Sequence, residues 1–554
     1  MALLTFNLIG LQFTWGFEMT YCTPYLLSLG LTKSKTSLVW IAGPLSGLIM
    51  QPVIGVLADN SRSKWGRRRP FMLGGAILTA MCLFILGWTA EIVGLFISDP
   101  EMAKPCTVAL AVISIYAVDF AINSTQSSGR SLIVDTLPIA KQQLGSAWAS
   151  RMTAFGSLVG YAIGTIDLMA VFGHTIGDTQ FKQFTFIAAT FFVFSVAVTC
   201  WAVEERVLIT RKDGDARGSA VKLLANILKT TLNLPDRIQA ICWVQFWAWI
   251  GWFPFLFYSA TWVGEVYFRY HPEAAEKAST DALGDVGRIG SLALVVFSII
   301  TFCSSVGLPW LIRSPDSTTQ KRSFTPRPPQ SLRPFMSPLV TLLKKGKPDL
   351  QSAWQYSHLI FAGAMCLAPF VRSLRMATII VSLCGVPWML ACWAPFSLIG
   401  VEINRLTAPA SNGSPSSYRG LSNLNGDESL RLNHLDGGIP LPDQGDAGDA
   451  ESDDEKDIEN LLHNPSATTG ETAGIYLGIL NLFTTLPQFV GTFISMIVFS
   501  ILEPGKSPEL HGEKTSEDIE TVKEKPNGIA VCLFIGALSA LGAAYATRSM
   551  RRRG

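Results

Sequence analysis

The feature that most constrains this chain is where its charges are not. Twelve stretches, each long enough for a membrane-crossing helix, are almost free of Lys, Arg, Asp and Glu, and the charged residues crowd between them. A hydrocarbon core about 30 Å thick takes an α-helix of roughly 20 apolar residues, and such a helix satisfies its own backbone polar groups where no water can. The stretches lie near 3–28, 36–58, 70–97, 106–128, 143–171, 183–203, 237–260, 289–313, 353–371, 375–403, 473–502 and 527–547. With 49% hydrophobic and 16% charged residues, the composition sits well below the roughly 25% charge of soluble domains. The sequence therefore predicts an all-α polytopic membrane protein with 12 transmembrane helices. The first stretch has no basic flank or clear cleavage site and reads as a retained helix.

Function classes fall away quickly. A net charge of +2 offers no basic field for nucleic acid. The ten cysteines form no C-x-x-C pair and lie almost all inside apolar stretches, as small buried hydrophobes do. No H-E-x-x-H, phosphate-binding loop or G-x-S-x-G elbow occurs, so neither an enzyme nor a resident metal or cofactor is expected. The partners expected are a small molecule and the bilayer, and the oligomeric state is left open.

Orientation follows the basic residues of the connections. Arg62, Lys64, Arg67, Arg68 and Arg69 follow the second stretch, six Lys and Arg residues lie between 206 and 229, and Arg551–Arg553 end the chain. Both termini are expected in the cytoplasm. Residues 404–472 hold 13 acidic and four basic residues in a background of Ser, Asn and Gly, a composition expected to stay disordered. Within it, Ser452 is either a regulatory phosphosite or part of a plain acidic linker.

Polar residues inside a span are costly and mark function by default. The fourth stretch places Asp119, Asn123, Gln126 and Arg130 at helical spacing, one stripe about 16 Å long, with Asp135 at its cytoplasmic end. Such a stripe must face protein or a water-filled cavity. Asp119, near the midplane, is the expected proton site, against the alternative of a structural hydrogen bond. Glu18 of the first stretch is either a second proton site or an acceptor for a polyol. Arg151 is set against Asp135 as a latch, with a structural role equally open. The seventh stretch is rich in aromatics, most of which interfacial belts and ordinary packing explain; because sugar rings pack their C–H faces on aromatic planes, Gln245 and Trp252 are the expected ligand contacts there. Gly55-x-x-x-Asp59 followed by Gly66-Arg67-Arg68 reads as a cluster that closes in one conformation and opens in another.

That loop resembles the signature of the major facilitator superfamily. Gly66-Arg67-Arg68-Arg69-Pro70-Phe71 resembles the G-R-R-R-P-[FY] of the sucrose transporter family, among the glycoside–pentoside–hexuronide:cation symporters. Further resemblances lie at Asp119–Asn123, Arg130–Asp135, Gly251–Phe255, and Leu477–Leu482 with Pro487-Gln488. The chain is also similar to the animal branch of proton-linked sugar transporters at Glu18–Pro24, Ser150–Met152 and Gly164–Asp167, and its long acidic loop looks fungal. The resemblance implies two six-helix bundles, 1–203 and 237–554, joined by 204–236 and working by alternating access. It implies inward movement of a disaccharide with a proton, with the family's carboxylate at Asp119 and its arginine at Arg130. Where plant members read D-T-D-W-x-G-R-E after the seventh helix, this chain reads Ser259-Ala260-Thr261-Trp262-Val263-Gly264-Glu265, so maltose and other α-glucosides stand beside sucrose as expected substrates. A plasma-membrane location is expected. The rivals are a non-transporting sugar sensor and a hexose/proton transporter of an intracellular membrane.

Overall fold

The structure, a computed structural model, describes residues 1–59, 61–137, 139–205, 234–270, 282–312, 347–407, 465–504 and 526–550. Among these residues every element longer than a turn is a helix. Nine of them, among the described residues, are long and apolar enough to cross a membrane, and they coincide with nine of the twelve expected stretches. The other three stretches are helical but differ in character. The first is broken into α1 (Asn7–Phe17), a π-helical turn (Glu18–Cys22) and α2 (Thr23–Ser28). The fifth, α8 (Ile139–Thr165), opens on the polar run Lys141-Gln142-Gln143. The ninth, Leu350–Cys366, has only 17 residues.

Between these lie α3 (Lys33–Val39), α4 (Ala42–Asp59), α5 (Arg69–Gly87), α6 (Thr89–Gly94) and α7 (Pro100–Thr136). After α8 come α9 (Leu168–Phe172), α10 (Gln180–Ala202), α11 (Asp236–Tyr270), α12 (Ala282–Leu311) and α13, the ninth stretch. The chain continues through α14 (Leu374–Leu383), α15 (Gly385–Thr407), α16 (Pro465–Leu502) and α17 (Gly528–Met550). At 37 residues α7 is about 55 Å long, so the Asp119–Asp135 stripe rides on one unbroken helix. The expected disordered segment lies outside the described residues from 408 to 464, as does Ser452.

Packing sorts the helices into two groups. In the first, α1 packs on α8 and α10, α5 on α7 and α10, and α4 on α7. In the second, α11 packs on α12, α16 and α17, and α13 on α15 and α17. Small residues allow the closest approaches. A Cβ on Gly156 of α8 would stand 2.6 Å from the Ile9 carbonyl oxygen of α1, so a side chain there would force the two helices apart.

The groups meet through α8 with α12 and through α16 with α3 and α4. Among the described residues, ion pairs between them occur at one end. There Lys33 of α3 pairs with Glu265 of α11 at 2.6 Å and with Glu503, just past α16, at 2.5 Å. Arg288 of α12 pairs with Asp167, between α8 and α9, at 2.5 Å. At the opposite end the ion pairs among the described residues stay within a group: Arg67 and Arg68 with Asp135, and Arg237 with Glu402. The groups are thus clamped together at the Lys33 end.

Candidate functional site

At the Arg67 end, the arginine loop is held by two carboxylates. Asp135 accepts from Arg67 Nη2 at 2.8 Å and from Arg68 Nε at 3.0 Å. Glu205, just after α10, accepts from the backbone N–H of Arg68 at 2.8 Å and of Arg69 at 3.3 Å. These N–H groups lie at the start of α5, where the helix supplies no acceptor of its own and its dipole also favours a negative charge. Gly66 adopts φ +109° with Glu205 directly against it, leaving no room for a Cβ. Gly55 contributes its carbonyl oxygen to Arg68 at 3.5 Å. The side chain of Asp59 lies outside the described residues. Arg151 lies over the Trp148 ring at 5.9 Å, while Asp135 is engaged by Arg67 and Arg68. Glu205 was not read from the sequence; the pair Glu204-Glu205 closing an apolar helix is the signal that points to it.

In the middle of the first group lie two buried carboxyl groups. Asp119 is 0% and Glu18 2% exposed, and among the described residues none of their four carboxyl oxygens has a hydrogen-bond partner. The two side chains are within electrostatic reach of each other. Glu18 opens the π-helical turn, a distortion found most often at functional sites. One turn beyond Asp119, Asn123 Nδ2 donates to Ser46 Oγ and to the Asp119 carbonyl, both at 2.9 Å. Gln126 is half-buried.

Arg130 is accessible to solvent although protein surrounds it, and it faces Cys392 of α15, which is likewise accessible. Two solvent-accessible side chains, one from each helix group, thus lie within electrostatic reach of each other. Among the described residues Arg130 makes no ion pair. The stripe read from the sequence thus runs from a buried end at Asp119 to a solvent-accessible end at Arg130.

On α11, Gln245 is 1% exposed with an unpartnered Oε1. Trp252, 2% exposed, is enclosed by Phe361 at 4.2 Å, Trp388 at 5.0 Å and Phe255 at 5.4 Å between ring centres. The half-buried rings beside it are Trp249 and Trp388, and the Trp249 indole N–H has no partner among the described residues. The Ser259–Glu265 run, expected beyond the seventh helix, continues α11 instead. Its Glu265 is buried, paired with Lys33 and accepting from Asn527 Nδ2 at 2.9 Å.

Comparison with known proteins agrees with this architecture. The family described as MFS/sugar transport protein matches residues 5–265. The "General alpha-glucoside permease" of Schizosaccharomyces pombe is 30% identical over 99% of this chain and 92% of its own length. "Sucrose transport protein SUC4" of Arabidopsis thaliana is 28% identical over 55% of this chain and 61% of its own. Among solved structures, a bacterial homolog of the human lysosomal transporter Spinster superposes with a TM-score of 0.52 at 12% identity, covering 100% of this chain and 96% of that one. A mutant form of the nucleoside transporter NupG gives 0.51 at 12% identity, covering 99% of each. These two likenesses concern the fold. With helices spaced to cross a bilayer and a relative aligned along nearly the whole chain, this protein belongs to the sugar transport family of the major facilitator superfamily, in the branch that holds the α-glucoside permease and the sucrose transport proteins.

Proposed function

We propose that the chain is a proton-coupled symporter that imports sucrose and maltose-type α-glucosides across the plasma membrane by alternating access. The observation that carries this reading is the Glu18–Asp119 pair. Two carboxylates in electrostatic reach of each other, buried and without a hydrogen bond, cannot both hold a charge in a low dielectric. The pair therefore binds a proton and releases it when water or a cation approaches.

Asn123 joins that proton site to the sugar site, because it bonds the Asp119 carbonyl while its Oδ1 stays open to a ligand. Arg130 supplies a cation at the accessible end of the same helix. In this reading the Lys33 end is extracellular and both termini are cytoplasmic. A proton and sugar enter when the Lys33 clamp opens. The helix groups then rock, and the present state, clamped at the Lys33 end, delivers both inward. One charge crossing 100 mV contributes about 2.3 kcal/mol, enough for roughly 50-fold accumulation.

The test is uptake of labelled sucrose and maltose by cells lacking their own carriers, at pH 5 and pH 7, with and without an uncoupler. Acid-stimulated, uncoupler-sensitive accumulation is expected. Uptake that only equilibrates the sugar, unchanged by the uncoupler, would reduce the protein to a facilitator.

A further inference from the structure

The two helix groups also touch at a neutral contact far from the ionic clamp. Gln51 of α4 accepts through Oε1 from Asn481 Nδ2 of α16 at 3.3 Å, and both residues are half-buried. Gln51 lies 18 residues beyond Lys33, roughly 27 Å along the helical run. The contact is therefore deep in the protein, on the Arg67 side of Asp119.

Its surroundings are polar and uncharged. Ser127 Oγ donates to the Gln51 carbonyl at 3.3 Å, and Ser46, one turn earlier on α4, receives Asn123 Nδ2. Between them Gly47 leaves the helix surface bare. A Cβ there would lie 3.8 Å from both Asn123 Oδ1 and Gln51 Nε2, and neither atom is bonded among the described residues. An acceptor and a donor thus flank a small gap, the space of one absent Cβ, floored by backbone, and a third carboxamide, Asn481, reaches Gln51 from the other group.

We propose that Ser46, Gln51 and Asn481 form, together with Asn123, a sugar-hydroxyl subsite shared by the two helix groups; this rests on the sugar-transport reading above. A carboxamide presents donor and acceptor side by side, the complement of two neighbouring hydroxyls. No charged side chain takes part, which suits a neutral polyol. The bond that joins the groups is also of the right kind. A neutral amide pair exchanges for hydroxyl partners at little net cost, whereas a buried ion pair resists being parted. Sugar entering the gap takes over the Gln51–Asn481 bond, and Asn123 passes its arrival to the backbone of the proton site.

The experiment is maltose transport by Gln51→Ala, Asn481→Ala and the double variant, with surface amounts measured alongside. Each single variant is expected to raise KM about tenfold while the maximal rate is kept, and the double variant is expected to do no more than either. In Gln51→Ala, deoxy-maltoses lacking the hydroxyl that Gln51 binds should lose no further affinity. If Gln51→Ala fails to reach the surface, Gln51→Asn, which keeps the carboxamide, is measured against the same sugars and should change their ranking. KM values within about twofold of the original, with only the rate lowered, would make the contact a hinge and overturn the subsite. An unaltered protein that moves neither sugar would sink this proposal and the symport reading together; an active protein with unchanged KM in the variants sinks the subsite alone.

Discussion

Lys33 and Glu265 stand 2.6 Å apart, both almost wholly buried, although they belong to different helix groups. Glu503 closes on the same ammonium at 2.5 Å and also accepts from the Gly528 N–H at the start of α17. The helix dipole there shares the negative charge. Removing one partner of a buried ion pair costs about 3–5 kcal/mol, so Lys33→Met should open this end. The check is maleimide labelling of Ser37→Cys, buried one turn away. Labelling is expected to rise at least several-fold in Lys33→Met and to stay low in Lys33→Arg. Equal rates in all three would show that other contacts hold the groups together.

Asp119→Asn removes one carboxyl of the buried pair while keeping its shape. Accumulation should fall from roughly 50-fold toward the equilibrium ratio, while exchange of sugar down its gradient persists. A variant that still accumulated sugar against its gradient would place the proton elsewhere.

Gly66→Ala should act on stability. Its backbone sits at φ +109° with Glu205 against it, so a Cβ adds strain of about 1–3 kcal/mol and pushes Glu205 off the start of α5. A lower melting temperature and less protein at the surface are expected, with KM for sugar unchanged in the protein that remains.

Asp167 gives a pH prediction with a definite sign. Burial raises the pKa of its carboxyl, but the Ala170 N–H and the Arg288 guanidinium outweigh this and hold it below the ordinary carboxylate range. A depressed folded-state pKa means that the link to Arg288 is fully present above the unfolded value and is lost only as pH falls through the depressed one. Between pH 5 and pH 7 the link is therefore constant. Asp167→Asn should leave the pH 5 to pH 7 uptake ratio as it was, even if the rate changes; a collapsed ratio would make this link part of the proton response.

The stripe from Asp119 to Arg130 was readable from the sequence because one helix carries it, and helical periodicity alone puts residues four and seven apart on one side. The Gly66–Arg69 loop was readable for a similar reason, its chemistry being packed into adjacent positions. The full length of α7 and α11 was not, since both run past the point where apolar spacing stops; Ser259–Glu265 belongs to a helix because its neighbours bury it. The three weaker spans show the same limit from the other side, being helices whose polar residues or short length blur the apolar signal.

By itself, the sequence determined that this chain lives in a bilayer, since apolar stretches of that length with so few charges have no other solvent, and it determined which helix carries ionisable groups across it. Only the tertiary structure decided which groups face each other. Lys33 meets Glu265 and Glu503, Glu205 caps α5, Glu18 comes within reach of Asp119, and Gln51 finds Asn481 across 430 residues of chain. Periodicity fixes the side of a helix on which a residue lies; the partner on that side is set by how the helices pack, and no local pattern encodes it.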